Sequence, residues 1–399
     1  MEKILEMKKV KEGYKQTSIG VIPEEWNISK LGRLSKIGTG SKDNKDKSDV
    51  GIYPFFVRSK NIERINTFSY DGEAILIPGE GKIGEIFHYI IGKFDFHQRV
   101  YKVSDFENGI SGKYIYYYLQ NFFIKETIRN SVKATVDSLR LPTFTEMLIH
   151  LPSFHEQQKI AAILSTWDEA ISKQKSLVEL TKTRNQGLAR QLLSGKKRLK
   201  GFNGEWKFSI LSKVVNRVKN SFIPEQNELY QQIGIRSHTK GLFYKEPVSG
   251  KELGNKSVFW IEPNCFVVNI VFAWEHAIAK TTTNEIGMIA SHRFPMFKPK
   301  KDLLDLDYML NYFKSPKGKD LLGLASPGGA GRNKTLGQAE FLKLPILLPS
   351  TDEQKAISKV IEQANIELQK LEQQLILLQN EKKGLMQKLL TGEVRVKIN

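Results

Sequence analysis

A single cysteine, Cys265, stands among 399 residues. An intramolecular disulfide and a cysteine-rich zinc site are therefore both excluded, and a reducing, cytoplasmic setting is expected. Histidine is scarce too, seven in all. His88 and His97 lie nine apart, while His238, His276 and His292 are far from one another, so no close-spaced metal-ligand pair emerges and no metal is expected. Long apolar runs are missing as well. The longest, Cys265 to Trp274, is broken by Asn269 and reads as a strand buried in a sheet core, and the opening 1–15 is too charged for a secretory signal. Neither a membrane span nor a leader is expected.

Acidic residues are outnumbered. Against 61 Lys+Arg there are 43 Asp+Glu, a net charge of +18 with a pI near 9.6. Such a field attracts polyanions, with nucleic acid the first candidate and a membrane surface the rival. With 40% hydrophobic and 10% aromatic residues the chain can bury sizeable cores, and its length suits two or three units of about 100–200 residues.

Self-similarity is the strongest signal. Leu151-Pro-Ser-Phe-His-Glu-Gln-Gln-Lys-Ile160 returns as Leu348-Pro-Ser-Thr-Asp-Glu-Gln-Lys-Ala-Ile357, an offset of 197 residues. The register holds without a gap through Gly187, Leu188, Leu192, Leu193, Gly195 and Arg198, which meet Gly384, Leu385, Leu389, Leu390, Gly392 and Arg395. Upstream the echoes are weaker and the offset drifts: Trp26 and Leu31 match Trp206 and Leu211, Arg58-Ser matches Arg236-Ser, and His97 with Arg99 roughly matches His292-Arg293. Drifting offsets mean insertions in loops of a shared fold.

Each repeated segment starts with proline, then Ser153 or Ser350, then an acidic residue where a helix N-terminus favours one. In the second copy Ile357, Ile361, Ala364, Leu368, Leu371, Leu375, Leu378, Lys382, Leu385 and Leu389 alternate four and three apart, a heptad seam broken only by Lys382. The first-copy positions are Ile160, Leu164, Trp167, Ile171, Gln174, Val178, Thr181, Asn185, Leu188 and Leu192. They are more polar in the middle, where looser or wetter packing is expected. Helices of about 38 residues span about 57 Å. Two such seams with a domain between them favour an antiparallel pair, and the end of the second helix is expected near the lead-in to Trp26. A generic coiled-coil dimerisation stalk is the plain alternative.

This predicts an α+β protein with a pseudo-twofold internal repeat: mixed domains at 1–150 and 200–347, with long connector helices at 151–199 and 348–399. Strand-like runs such as Glu73 to Pro78 and Asn264 to Phe272 alternate with helical patches at Lys113 to Arg129 and Leu306 to Phe313.

Catalytic signatures are absent. The chain has no Pro-Pro, hence no Asn/Asp-Pro-Pro-aromatic loop of the kind carried by amino-methyltransferases acting on DNA, and no G-x-x-x-x-G-K-[ST] phosphate loop. Ser326 to Lys334 is Gly-rich and basic but fails that spacing. Gly79-Glu-Gly-Lys-Ile-Gly84 matches G-x-G-x-x-G, yet Glu85 to Ile91 is β-branched and aromatic rather than helical, so a tight turn between strands fits better than a dinucleotide site. The remaining signal is basic residues among polar and aromatic ones, in two clusters. Lys42, Lys45, Lys47, Arg58, Lys60, Lys82, Lys133 and Arg140 form the first. Arg217, Lys219, Arg236, His238, Lys240, Arg293, Arg332 and Lys334 form the second. Singly each reads as a solvated surface charge. Together they supply phosphate anchors and groove readers for double-stranded DNA.

Two variable domains, each opened by Trp-x-x-x-x-Leu and closed by Leu-Pro-Ser…Glu-Gln…Ile, then a helix ending Leu-Leu-Ser/Thr-Gly, resemble the specificity subunits of type I restriction-modification systems. The stretch Gly13 to Trp26 is similar to that family's opening. The one departure is Ala364, where the first copy has Trp167. The resemblance implies that each domain reads one half of a split, asymmetric DNA target through the major groove, with the helices as a ruler. It further implies two methyltransferase subunits gripping the helices, and an ATP-dependent motor nuclease able to join them. S-adenosylmethionine, ATP and Mg²⁺ would then belong to the partners, and this chain would carry no catalysis and no cofactor. A nucleic-acid-binding scaffold without sequence preference, and a self-sufficient nuclease or recombinase, are the rival readings.

Overall fold

The computed structural model describes residues 10–129, 139–328 and 334–398. Two compact units divide the chain: Met1–Lys175 with Gln373–Asn399, and Ser176–Glu372.

In the first unit a six-stranded sheet runs in the order Lys36–Thr39, Val100–Ser104, Tyr70–Pro78, His88–Phe96, Tyr53–Phe56, Ile62–Ile65, antiparallel except where Tyr53–Phe56 meets His88–Phe96. Side chains alternate along a strand. Ile75 and Ile77 thus join Tyr114, Ile115, Tyr118 and Phe123 of the helix Gly112–Arg129, while Ala74 and Leu76 join Phe56, Phe94 and Phe96 on the other face. Burial on both faces is why this strand reads as an unbroken apolar run. Residues 79–87 connect two strands, with Gly81 and Gly84 at positive φ, so the G-x-G-x-x-G match is a turn.

The second unit repeats the frame. Its four-stranded sheet is ordered Val215–Val218, Met296–Pro299, Phe266–Val268, Ile278–Lys280, the counterpart of the first four strands above. In both units a one-turn helix, Leu31–Leu34 or Leu211–Val214, precedes the first of these strands. A short strand before that helix pairs with the strand that leads into a long helix: Asn27–Lys30 with Leu148–Leu151, and Lys207–Ile210 with Pro345–Leu348. Where the described residues of the first unit place one helix over the sheet, those of the second place two, Leu306–Lys314 and Pro316–Leu324. The break arises at Ser315-Pro316: the residue before proline is driven out of the helical region, and Ser315 Oγ caps the new helix by accepting from Gly318 N–H at 3.2 Å. The strand anticipated at Asn264 to Phe272 shortens to Phe266–Val268, because Asn269 turns the chain by accepting Val271 N–H on its own Oδ1 at 3.0 Å.

The long helices are Phe154–Leu193 and Thr351–Thr391. Ser153 Oγ and Ser350 Oγ each accept the N–H of the residue three on, Glu156 and Glu353, at 3.3 Å. Gly195 and Gly392 end the helices in the left-handed region, with Lys197 N–H returning to Gln191 O and Val394 N–H to Lys388 O. Both helices contribute to both units, and within each unit their segments run antiparallel. Asp168 meets Lys382 and Gln174 meets Gln374 in the first; Asn185 meets Ala364 and Arg184 meets Glu367 in the second.

Seam side chains are covered throughout. Ile160, Leu164, Ile171, Val178, Leu192, Ile357, Ile361 and Leu389 are buried, and Trp167, Leu188, Leu368, Leu371, Leu375, Leu378 and Leu385 half-buried. The polar middle of the first helix is not looser: Thr181 and Asn185 are buried, and Asn185 Nδ2 donates to Ala364 O at 2.6 Å. The small Ala364 side chain leaves the amide room to reach backbone. Lys382 is compensated too, its Nζ lying 2.6 Å from Asp168, which also accepts from the Tyr117 hydroxyl at 2.7 Å. Asn185→Ala is expected to lower stability by about 1 kcal/mol in urea unfolding. A gain would show that the amide is held at a net desolvation cost.

A duplicated clasp closes each unit. Glu156, 1% exposed, accepts from Trp26 Nε1 at 3.0 Å and from Arg395 at 2.7 and 3.1 Å. Glu353, also 1% exposed, accepts from Trp206 Nε1 at 3.2 Å and from Arg198 at 2.7 and 2.8 Å. The neighbouring glutamines are duplicated as well. Gln157 Nε2 donates to Pro152 O and Gly109 O while its Oε1 accepts Ser111 N–H; Gln354 does the same with Pro349, Leu303 and Asp305. The end of the second helix does meet the lead-in to Trp26: the Tyr14 hydroxyl donates to Gly392 O at 2.8 Å, and Arg395 pairs with Glu25 at 2.9 Å.

Candidate nucleic-acid interface

Three loops meet in each unit through the same backbone contacts. Gly79 N–H donates to Arg99 O and Gly79 O accepts Leu139 N–H, both at 2.8 Å. Likewise Ile270 N–H donates to Arg293 O at 3.0 Å and Ile270 O accepts Leu336 N–H at 2.8 Å. These loops follow the central strand, precede its antiparallel neighbour, and precede a short helix, Leu141–Thr145 or Gln338–Lys343. Buried peptide groups must be paired, so the ladder fixes the loops while the charged side chains of Lys82, Arg99, Arg140 and Arg293 stay exposed.

In the first unit this gathers most of the basic residues singled out from sequence. An open cleft of about 440 Å³ is lined by Asn44, Lys47, Arg58, Ser59, Glu63, Glu80 and Gly81. Lys45, Lys60 and Lys82 are exposed and adjoin lining residues in sequence. Lys42 bridges to His97, and its carbonyl accepts Gln98 N–H at 2.8 Å. Arg140, exposed, follows the ladder residue Leu139. Lys133 lies outside the described residues. Glu80 pairs with Arg58 at 3.2 Å and with Arg99. His97 is buried, its N–H donating to Phe56 O and its Nδ1 accepting Arg99 N–H, both at 2.9 Å. Burial, then the Arg58 charge, lowers its pKa, which keeps the ring neutral. It holds the backbone of Arg99.

The second unit brings its residues together by another route. Arg236, His238 and Lys240 lie at the tip of the hairpin Ile233–Ile235/Leu242–Tyr244, where His238 (φ 60°) and Thr239 (φ 58°) are left-handed. Non-glycine residues hold that region only when fixed from outside. Here His238 N–H donates to Glu275 O at 2.7 Å and Thr239 N–H to His276 O at 3.0 Å. The Arg236 guanidinium lies 5.0 Å from the Phe243 ring centroid. Beside Glu275, Trp274 receives Lys334 over its ring at 5.8 Å, and Leu336 and Ile270 continue to the exposed Arg293. Arg217 and Lys219 line a small cleft with His292, Phe259 and Phe294. Arg332 lies outside the described residues. His292 is exposed, unlike its echo His97.

Sequence reading missed Arg99, Glu80 and Trp274 as candidates. The recurrence of His97 with Arg99 as His292-Arg293 was the available signal for Arg99. Burial pushes the Cys265 thiol up to about 12, which leaves it protonated and unreactive. Among the described residues no group of three or more His, Cys, Asp or Glu is placed to hold a metal ion, and no helix is long and apolar enough to cross a membrane.

The family model for the type I restriction modification DNA specificity domain matches residues 23–182 and again 203–378. The putative type I restriction enzyme MjaX specificity subunit of Methanocaldococcus jannaschii is 25% identical over 97% of both chains. The type I restriction enzyme EcoDI specificity subunit of Escherichia coli is 32% identical over 162 residues, 41% of this chain and 35% of that one, so this match spans about a third of the relative. Among solved structures, the type I restriction-modification S subunit from M. genitalium covers 98% of this chain and 99% of its own with a TM-score of 0.58 at 15% identity. An S subunit from Thermoanaerobacter tengcongensis gives 0.52 at 13% identity, covering 94% and 98%. These likenesses share the two-domain fold. With the family's domain matched twice over most of its length, this chain belongs to the type I restriction-modification DNA specificity family.

Proposed function

We propose that this chain is the DNA-reading subunit of a type I restriction-modification complex and that each unit reads one half of a split, asymmetric target. The observation that carries this is the duplicated three-loop ladder, whose loops carry Lys82, Arg99 and Arg140 in the first unit and Arg293 and Lys334 in the second, the same backbone frame with different residues. Equivalent frames with unlike side chains suit two unlike half-sites. The helices, each about 60 Å long at about 1.5 Å per residue, serve as the ruler. Two methyltransferase subunits bind against the repeated helical elements, and a motor nuclease joins them. S-adenosylmethionine, ATP and Mg²⁺ bind to those partners, and the assembly works in the cytoplasm. This chain supplies the address.

Co-expression with a type I methyltransferase subunit, then native mass measurement and methylation sequencing of host DNA, tests the reading. Two methyltransferases per chain and methylated adenines in one split motif are expected. A chain that stays alone and leaves no motif would instead support a scaffold without sequence preference.

A further inference from the structure

We infer that Arg58, Glu80 and Arg99 together read a guanine–cytosine pair in the half-site bound by the first unit. This rests on the DNA-reading function proposed above. Arg58 and Arg99 approach the single Glu80 carboxylate from two loops, Arg58 at 3.2 Å. A phosphate clamp gains from unopposed positive charge, and a carboxylate at its centre repels the backbone. The cleft holds a second carboxylate, Glu63, 3.8 Å from Lys47, so its wall alternates donor and acceptor groups. The major-groove edge of a G·C pair has the complementary pattern: guanine O6 and N7 accept, and cytosine N4 donates. A guanidinium grips the guanine edge while the Glu80 carboxylate accepts from the cytosine amine.

Preorganisation supports the assignment. Arg99 is fixed by His97 Nδ1 on its N–H and by Gly79 N–H on its carbonyl, and Arg58 lies two residues beyond the strand Tyr53–Phe56. Both guanidinium side chains remain accessible, 42% and 57% exposed, so a base edge can replace water on the faces that Glu80 leaves open. In the second unit Ile270 takes the ladder place of Gly79, and Val271 comes next where the first unit has Glu80. The triad is thus particular to one half-site.

The test compares the wild-type chain, Arg99→Ala, Arg58→Ala and Glu80→Ala, each in complex with the methyltransferase, by host methylation sequencing and by DNA affinity at several salt concentrations. All three substitutions change side chains with access to water, so folding is retained and unchanged thermal unfolding verifies it. At least one arginine variant and Glu80→Ala should relax the same G·C position in one half-site. Discrimination there should fall roughly 5- to 150-fold, with the other half-site unchanged. A uniform loss of affinity, with a shallower salt slope and an intact motif, would identify a phosphate clamp and overturn the inference while leaving the DNA-reading function standing. An unchanged motif with unchanged affinity overturns it equally. If the wild-type complex leaves no motif, the underlying function fails first, and this inference with it.

Discussion

Leu164→Asp is expected to abolish stable folding of the first unit or to lower its stability by about 4–5 kcal/mol. Leu164 is fully buried in the cluster that also contains Trp26, Tyr114, Ile160, Leu389 and Leu390, so it is held by the sheet domain and by both long helices. An aspartate there loses the transfer free energy of a leucine and leaves a charge without a partner. Leu375→Asp tests the same seam at a half-buried position, and partial access to water should limit its cost to about 1–2 kcal/mol, enough to weaken helix pairing and assembly with partner subunits. Urea unfolding of both variants checks the ranking. Equal losses would show that helix pairing rather than the domain core sets the cost, and normal complex stoichiometry in both would count against the helices as ruler.

Glu156→Ala should cost about 3 kcal/mol, the second of the large effects. The carboxylate is the common acceptor for a buried indole N–H and for Arg395, which is 35% exposed. Removing one partner of a buried ion pair leaves the other uncompensated, and here it also orphans Trp26 Nε1. The partial exposure of Arg395 keeps the loss near the lower end of what such deletions produce. Glu353→Ala should be milder because Trp206 is only half-buried. Unfolding followed by tryptophan fluorescence reads both clasps, and a loss below about 1 kcal/mol for Glu156→Ala would show that water replaces the carboxylate. Glu156→Gln keeps an acceptor for the indole and should recover part of the loss.

Much of this architecture is written in local pattern. The repeat of Leu-Pro-Ser…Glu-Gln…Ile marks both helix starts because proline and serine set an N-terminus whatever lies around them. The Leu-Leu-Ser/Thr-Gly endings mark both stops because Gly195 and Gly392 take a backbone conformation that other residues resist. The seam from Ile357 to Leu389 was legible through its spacing alone. The polar middle of the first helix, Asn185 included, reads as loose packing, because sequence shows a polar residue but not the Ala364 carbonyl that it reaches.

The basic residues were visible as a surplus without an arrangement. Glu80 carries no signal in sequence, since its partners Arg58 and Arg99 stand 22 and 19 residues away on separate loops. Glu156 reads as an ordinary first-turn acid until Arg395, 239 residues later, closes on it. Periodicity, caps and the internal repeat therefore determined the two-domain frame and the long helices, because those are properties of neighbours a few residues apart. Only the tertiary structure decided which charges meet and which stay exposed. Such pairs depend on loop ends that distant strands bring within hydrogen-bond reach, and no spacing rule along the chain encodes that approach.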